Sequence, residues 1–269
     1  MDALDRMAER LHAEGRPRVW SLIVTAFGDA AAPRDAALSA ARLTALMAPA
    51  GIGGGAVRTA LSRLVADGLL TRERMGQTSL HRPSPALAAE IRAATPTIYA
   101  PPARGWELSF GARPPRSLAV APGAWLSREH AGAGALRFAA SPLETASMDG
   151  GGALERGHAD ALDALAGDLA ALVGPDADPI AGPTVDPLRA AAARLLLVHR
   201  WRRLVLRWPE VEERWLPAGM GDPRPDVMAA LRGLGAPSDR WWETVIGPGL
   251  AGAALPGLSG NRSRSVGGG

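Results

Sequence analysis

Apolar residues in the first 85 positions recur with a helical period in three segments, and two short strand-like runs follow them. The helical segments are residues 17–27, 38–49 and 56–68. Ser39 is a candidate N-cap for the second segment, and Gly68 ends the third. Residues 69–75 and 78–84 flank a Gly-Gln pair and predict a β-hairpin. Three helices followed by a two-stranded hairpin is the element order of a winged helix-turn-helix.

The rest of the chain divides into shorter units. A helix and a proline-rich connector come first. Strand-like runs at 106–110, 116–127 and 135–141 precede an alanine-rich helix at 157–174. Three further helices are predicted at 186–208, 225–234 and 239–247. We therefore predict five units: a winged helix over 1–85, a linker over 86–104, a small α+β middle domain over 105–180, a helical C-terminal domain over 181–250 and a disordered tail over 251–269. The predicted fold class is α+β and predominantly helical.

The glycines at 51 and 53, with Ala56, fit the loose pattern of a dinucleotide-binding loop, G-x-G-x-x-A. Such a loop follows a buried strand and opens a helix, so that the pyrophosphate meets the helix N-terminus. Here the preceding residues have helical periodicity and end in a proline. We interpret the segment as a turn between two helices, with Ile52 buried between them.

Composition excludes several kinds of site. The 269-residue chain has no cysteine, which excludes disulfides, thiolate metal sites and cysteine nucleophiles. It has no lysine either, and its formal net charge is only +3. The segment from Arg16 to Thr95, however, contains ten arginines and only five acidic residues, and this excess of positive charge favours a polyanionic partner. Acidic residues before the first apolar segment argue against a secretory leader, so we expect a cytoplasmic protein without a membrane span.

The third helical segment has two distinct faces. Its apolar side carries Val57, Ala60, Leu61 and Leu64, and the opposite side carries small and hydroxyl residues flanked by arginines. Small side chains allow a helix to enter a major groove, and arginines reach guanine edges or phosphates. The candidate DNA-binding residues are Gly55, Arg58, Thr59, Ser62 and Arg63 on the helix and Arg72, Arg74 and Gln77 on the hairpin. The alternative is a polar face that only contacts water.

Three stretches resemble the PaaX-type transcriptional repressors, which control phenylacetic acid catabolism. They are RVWSLIVTAFGDAAAPR at 18–34, AVRTALSRLVADGLLTRERMGQTSLHR at 56–82 and HRWRRLVLRWPEVEERWLPAGM at 199–220. The resemblance implies a winged helix, a ferredoxin-like middle region and a helical C-terminal domain. It also implies a dimeric repressor at palindromic operators, released by an aryl-acyl-CoA such as phenylacetyl-CoA.

The sequence departs from the family pattern at three places. Leu80 replaces an aromatic residue, and three glycines, Gly53 to Gly55, open the recognition helix. The link between the first strands of the middle region is short. We therefore expect an abbreviated ferredoxin-like region that lacks most of its first helix.

Effector-binding candidates lie in the C-terminal part. Arg200, Arg203 and Arg207 recur at i, i+3 and i+7 and could hold CoA phosphates. Trp201, Trp241 and Trp242 could line an aryl pocket. The alternatives are arginines that pair with Glu210, Glu212 and Glu213, and tryptophans that pack in the core or at a dimer interface. No cofactor other than such an acyl-CoA effector is predicted.

Catalytic and metal sites are not expected. The five histidines are scattered without ligand spacing, and Glu107 stands alone inside a predicted strand. We therefore predict that the protein is not an enzyme. Two alternatives to an effector-responsive repressor stay open: a DNA-binding and dimerisation module without an effector, and an enzyme with a winged-helix-like domain. Thermal stabilisation by acyl-CoAs separates a sensor from a module, and turnover separates an enzyme from both.

Overall fold

A computed structural model describes residues 2–32, 35–102, 105–128, 136–140, 154–174, 185–211, 213, 216 and 219–246. This part of the chain is mixed α/β, with about 61% helix and two small antiparallel sheets. The predicted tail at 251–269 lies outside the described residues. No helix in the described part is long and apolar enough to cross a membrane.

Helix α1 (Ala3–Ala13) precedes the elements that the hydrophobic pattern predicted. A capping box starts it, because the Asp2 and Asp5 side chains each accept a hydrogen bond from the other residue's backbone N–H. Helix α2 (Val19–Ala26) continues directly into a π-helical turn, Phe27–Ala31. Its buried side chains include Leu22, Ile23 and Phe27.

Helices α3 (Ala40–Met47) and α4 (Gly54–Ala66) begin and end within two residues of the predicted segments, 38–49 and 56–68. The Ser39 hydroxyl caps α3 by accepting a hydrogen bond from the Arg42 N–H at 3.2 Å. A 3₁₀ turn, Ala48–Ala50, ends at Gly51, whose φ of 75° requires glycine. Ile52 is buried, as predicted, and the glycine segment follows helix rather than strand. This context does not suit a dinucleotide loop.

The first sheet packs beside α4. It contains β1 (Leu38–Ser39), β2 (Leu70–Met75) and β3 (Thr78–Pro83) in the antiparallel order β1-β3-β2. Strands β2 and β3 form the predicted hairpin, with Gly76 and Gln77 at its turn. Gly68, at φ 70°, separates α4 from the hairpin.

Helix α5 (Pro85–Tyr99) is longer than predicted, because residues 95–99 continue the helix where the sequence indicated a connector. Pro96 lies inside it. Tertiary contacts hold this last turn: Ile98 is buried, its carbonyl accepts the Trp201 indole N–H at 2.8 Å, and the Tyr99 hydroxyl donates to Asp29 at 2.7 Å. These interactions outweigh the local preference of proline for a break.

The second sheet contains β4 (Trp106–Phe110), β5 (Ser117–Ala121), β6 (Ala124–Ser127) and β7 (Leu136–Ala140). All neighbouring strands are antiparallel, in the order β5-β6-β4-β7. The predicted run 116–127 is thus two strands that reverse at Pro122-Gly123. Residues 111–116, which join β4 to β5, contain no helix.

Three long helices complete the described chain: α6 (Arg156–Val173), α7 (Pro187–Val205) and α8 (Pro223–Ile246). Helix α8 continues through Pro237, so the prediction of two separate helices here was wrong. Its apolar face packs along α7 through Val227, Leu231 and Trp241, and this burial offsets the lost backbone hydrogen bond.

One hydrophobic core connects the N-terminal and C-terminal helices. Helix α1 contacts α6 and α7, and α2 and α3 also contact α7. A buried ion pair crosses this junction: Arg194 on α7 donates from Nη2 and Nε to both Asp29 carboxylate oxygens, at 2.7 and 2.8 Å. The N-terminal elements are therefore not packed as an isolated unit, and the predicted domain boundaries stay a prediction.

Candidate nucleic-acid interface

Helix α4 presents its polar face to solvent. Its inward side chains Val57, Ala60, Leu61 and Leu64 are buried in the core. The five residues predicted to contact DNA on this helix are all exposed: Gly55, Arg58, Thr59, Ser62 and Arg63. The two faces predicted from the helical period of the sequence therefore agree with the buried and exposed faces in the structure.

The hairpin carries the other predicted contacts. Arg72, Arg74 and Gln77 are exposed. Arg74 lies near the turn, where its Nε donates to the Gly76 carbonyl at 3.2 Å. Arg72 is opposite His81 in the β2–β3 register. All three side chains are therefore available to a partner that approaches the hairpin.

A surface cleft of about 490 Å³ lies between α4 and the hairpin. It brings together three of the predicted residues, Arg58 and Ser62 from α4 and Arg72 from β2. The other five predicted DNA contacts do not line it. Its remaining lining residues were not predicted as site residues: Ala40, Leu61, Val65, Ala66, Ser79 and His81. Alternation along β3 predicts that Ser79 and His81 share one face of that strand, but it does not predict that this face meets α4.

Positive charge at this surface is not neutralised within the described part of the chain. Arg58, Arg63 and Arg72 make no ion pair with a described residue, whereas Arg82 nearby pairs with Asp35 at 3.2 Å. His81 adds no charge at neutral pH, because burial lowers its pKa; the Leu38 carbonyl works against this shift and Arg72 adds to it. The arrangement suits an anionic partner.

The predicted effector arginines meet in a second cleft, of about 430 Å³, lined by Arg200, Arg203 and Arg207 with Arg18, Trp208 and others. Arg200 is already paired, since it donates to Asp168 and to Glu14, each at 2.5 Å. Arg207 lies over the Trp208 ring at 4.5 Å. Arg203 and Arg207 are thus the exposed cations of the predicted cluster.

The predicted effector tryptophans do not line this cleft. Trp201, Trp241 and Trp242 are buried in the core, and the last two pack edge to face at 4.6 Å. This placement corresponds to the core alternative. The acidic residues that were alternative partners for these arginines are not seen paired with them in the described part of the chain. Glu210 pairs with Arg224 instead, and Glu212 lies outside the described residues.

In the described ranges, no group of three histidine, aspartate or glutamate side chains is arranged to hold a metal ion. Glu107 lies in β4, within 4.0 Å of Arg137. His158 stacks on Trp208 at 5.0 Å.

Comparison with known proteins identifies the region that holds the first cleft. Residues 18–86 match the model of the PaaX-like protein family. In these residues the chain is similar to the PaaX-like family. The PaaX-like region contains α2, α3, α4 and the hairpin, and the match suggests a transcription regulator of the phenylacetate-catabolism type. The resemblance of residues 199–220 lies outside it and stays a prediction.

Two further comparisons were made. Among solved structures, an uncharacterized protein Rv0674 from Mycobacterium tuberculosis is similar at 20% sequence identity and a TM-score of 0.42, over 77% of this chain and 91% of that chain. No curated protein matches the sequence.

Proposed function

We propose that the PaaX-like region is a winged helix that binds double-stranded DNA, and that the protein is a transcriptional repressor acting in the cytoplasm. The observation that carries this proposal is the cleft between α4 and the hairpin, where Arg58, Ser62 and Arg72 converge. Helix α4 enters the major groove and the hairpin lies along the backbone as the wing. Three unpaired arginines on these elements supply the charge that phosphate binding needs.

The two elements divide the contacts. Arg58 and Arg63 flank the exposed small residues of α4, so they reach guanine edges or adjacent phosphates once the helix lies in the groove. Arg72 and Arg74 on the wing contact phosphates, which position the protein without reading sequence. Binding therefore weakens as salt rises.

We further propose a homodimer that reads a palindromic operator. Two copies of α4 then occupy half-sites one helical turn of DNA apart, or a multiple of it. The second sheet offers exposed apolar area for such a contact, because Phe110, Leu136 and Phe138 are exposed and the two phenylalanine rings pack edge to face at 6.2 Å.

We also propose that an aryl-acyl-CoA releases the repressor from DNA. The cleft at Arg203 and Arg207 supports a phosphate site, and Arg18 from the N-terminal part also lines it. The aryl group has no assigned pocket there, because the predicted tryptophans are buried. If phenylacetyl-CoA leaves DNA affinity unchanged, another effector or an effector-independent module is indicated.

The test is fluorescence anisotropy of the full chain with labelled DNA from upstream of its own gene. The double substitution Arg58→Ala/Arg63→Ala should weaken specific binding by about tenfold or more, since each base contact contributes roughly 1–3 kcal/mol. The matched control is Arg92→Ala/Arg232→Ala, which removes the same charge from exposed positions on α5 and α8. Equal losses in both variants, or none in the first, would contradict the proposed DNA face.

A further inference from the structure

A cavity of about 150 Å³ lies where α2, α5 and α7 meet. Its walls are mainly apolar and include Val24, Ile91, Ala94, Val198 and Leu206. Helix α2 belongs to the PaaX-like region, and α7 lies beyond it in sequence. The cavity is separate from the cleft of Arg203 and Arg207, because neither residue lines it.

Three charged residues line this cavity, and two of them do not need a ligand. The Asp29 carboxylate is compensated by Arg194 and accepts a further hydrogen bond from Tyr99. Glu90 is exposed on α5 and therefore hydrated. The remaining charged group is Arg202, whose charge decides what the cavity can bind.

The Arg202 guanidinium has only neutral partners in the described structure. Its Nε donates to the Thr25 hydroxyl at 2.7 Å, and its Nη2 donates to the Ser21 hydroxyl and carbonyl at 2.8 and 3.1 Å. Nη1 donates to no described residue. His199, which approaches the same Thr25 hydroxyl at 3.1 Å, is uncharged at neutral pH. A partly buried cation without a counter-ion is costly unless an anion neutralises it.

The electrostatic state of Arg202 agrees with this geometry. Burial lowers its pKa to about 10, and the neighbouring Arg203 adds to the shift. The group is therefore still protonated at neutral pH, but its charge is destabilised by the surroundings. An anion beside it would relieve that cost.

We propose that this cavity binds a small apolar monocarboxylate, with its carboxylate on Arg202 and its hydrocarbon part among the side chains of α2, α5 and α7. A cavity of about 150 Å³ holds a molecule about as large as benzene. A single guanidinium neutralises one negative charge, so a dianion would keep a buried charge without a partner. A neutral molecule would leave the charge of Arg202 without a counter-ion. This inference goes beyond the proposed function and does not depend on DNA binding.

Calorimetric titration of the full chain without DNA tests the site, with benzoate and its neutral analogue benzamide as probes. Benzoate should bind about tenfold more tightly than benzamide, because only the carboxylate forms a charge-assisted pair. Arg202→Gln should abolish that preference. Arg203→Gln, which removes the adjacent exposed charge, should retain it.

A second pair of variants tests the cavity without touching the arginine. Ala94→Leu fills the space and should abolish benzoate binding, whereas Ala93→Leu on the exposed side of α5 should not. Melting temperatures of all four variants show whether each is folded. No benzoate binding by the unmodified chain, or equal affinity for benzamide, would overturn the inference. A loss with Arg203→Gln but not Arg202→Gln would place the anion in the other cleft and overturn it as well.

Discussion

His199 lies on the buried side of α7, with its Nδ1 3.1 Å from the Thr25 hydroxyl. Burial lowers its pKa to about 3, and Arg202, Arg203 and Arg200 add to this shift. His158 is also buried, and burial lowers its pKa to about 4. Both rings are uncharged in the folded protein at neutral pH, whereas an unfolded histidine titrates near 6.5.

These histidines predict acid sensitivity. Between pH 6.5 and their folded pKa values, the unfolded chain binds protons that the folded chain does not, so stability is complete above 6.5 and falls as pH decreases. Each histidine lowers the free energy of unfolding by up to about 1.4 kcal/mol for every pH unit below 6.5. Urea unfolding at about pH 7.5 and 5 measures the acid-induced loss, which is the difference between the two free energies of unfolding. His199→Gln should make this loss smaller by roughly 2 kcal/mol.

The control for this measurement is His12→Gln, which replaces an exposed ring. It should change the acid-induced loss less than His199→Gln does, because it removes no buried ring. If His199→Gln and His12→Gln give the same pH dependence as the unmodified chain, buried His199 does not control acid stability.

Glycines lie at the start of helix α4 and just after its end, and they have different roles. Gly53 is its N-cap, and Gly54 and Gly55 form its first turn. A Cβ at Gly55 would have no atom within 4 Å, so alanine fits there and is the better helix former. Gly68 follows the helix at φ 70°, a conformation that alanine adopts only with strain.

Two substitutions, one in the first turn of α4 and one just after its C-terminus, should therefore have opposite effects on the free energy of unfolding. Gly55→Ala should raise it by about 0.5–1 kcal/mol, and Gly68→Ala should lower it by roughly 1–2 kcal/mol. Denaturant unfolding at neutral pH measures both. Destabilisation by Gly55→Ala would mean that the first turn of α4 is not helical.

Elements with strong end signals could be predicted from the sequence. Ser39, Gly68 and the Gly76 turn fix α3, α4 and the hairpin locally, and the structure has all three. Helices α5 and α8 run through Pro96 and Pro237, where local preference indicates a break. Their continuity depends on distant partners, such as the Trp201 indole N–H that donates to Ile98. Single-sequence periodicity carries no information about these contacts.

The candidate site shows the same limit. The exposed face of α4 follows from 100° per residue, so its arginines could be predicted. The cleft beside these arginines could not be predicted. His81 lines it because β3 pairs with β1, and this pairing joins Leu38 and His81, which are 43 residues apart in the sequence. Burial of Trp201, Trp241 and Trp242 likewise depends on how α7 and α8 pack. Their residue type suits a pocket and a core equally.

The molecule as a whole is held by a core that continues from the PaaX-like region into α7 and α8. The buried Asp29–Arg194 pair lies at this junction, and Arg194 Nη1 also donates to the Leu231 carbonyl of α8 at 3.0 Å. Removing one partner leaves the other charge buried and uncompensated. Stability of the N-terminal and C-terminal parts should therefore be coupled.

Asp29→Ala tests this coupling. We expect a loss of about 3–5 kcal/mol, the usual cost of breaking a buried pair. Tryptophan fluorescence and far-UV circular dichroism should report the same urea midpoint, because one core unfolds as a unit. Asp35→Asn, which removes the charge of the exposed pair with Arg82 and tolerates the φ of 46° at this residue, should cost less than about 1 kcal/mol. Comparable losses, or separate midpoints, would contradict a shared core.

The π-helical turn at Phe27–Ala31 has a consequence for how this sequence is compared with its relatives. A π turn arises when one residue is inserted into an α-helix, and Asp29 lies within it. Deleting one residue there would restore α-helical winding and rotate Asp29 by about 100° relative to Arg194. The buried ion pair therefore depends on the π turn. A relative whose alignment shows a gap at this turn should carry an apolar residue where this chain has Arg194.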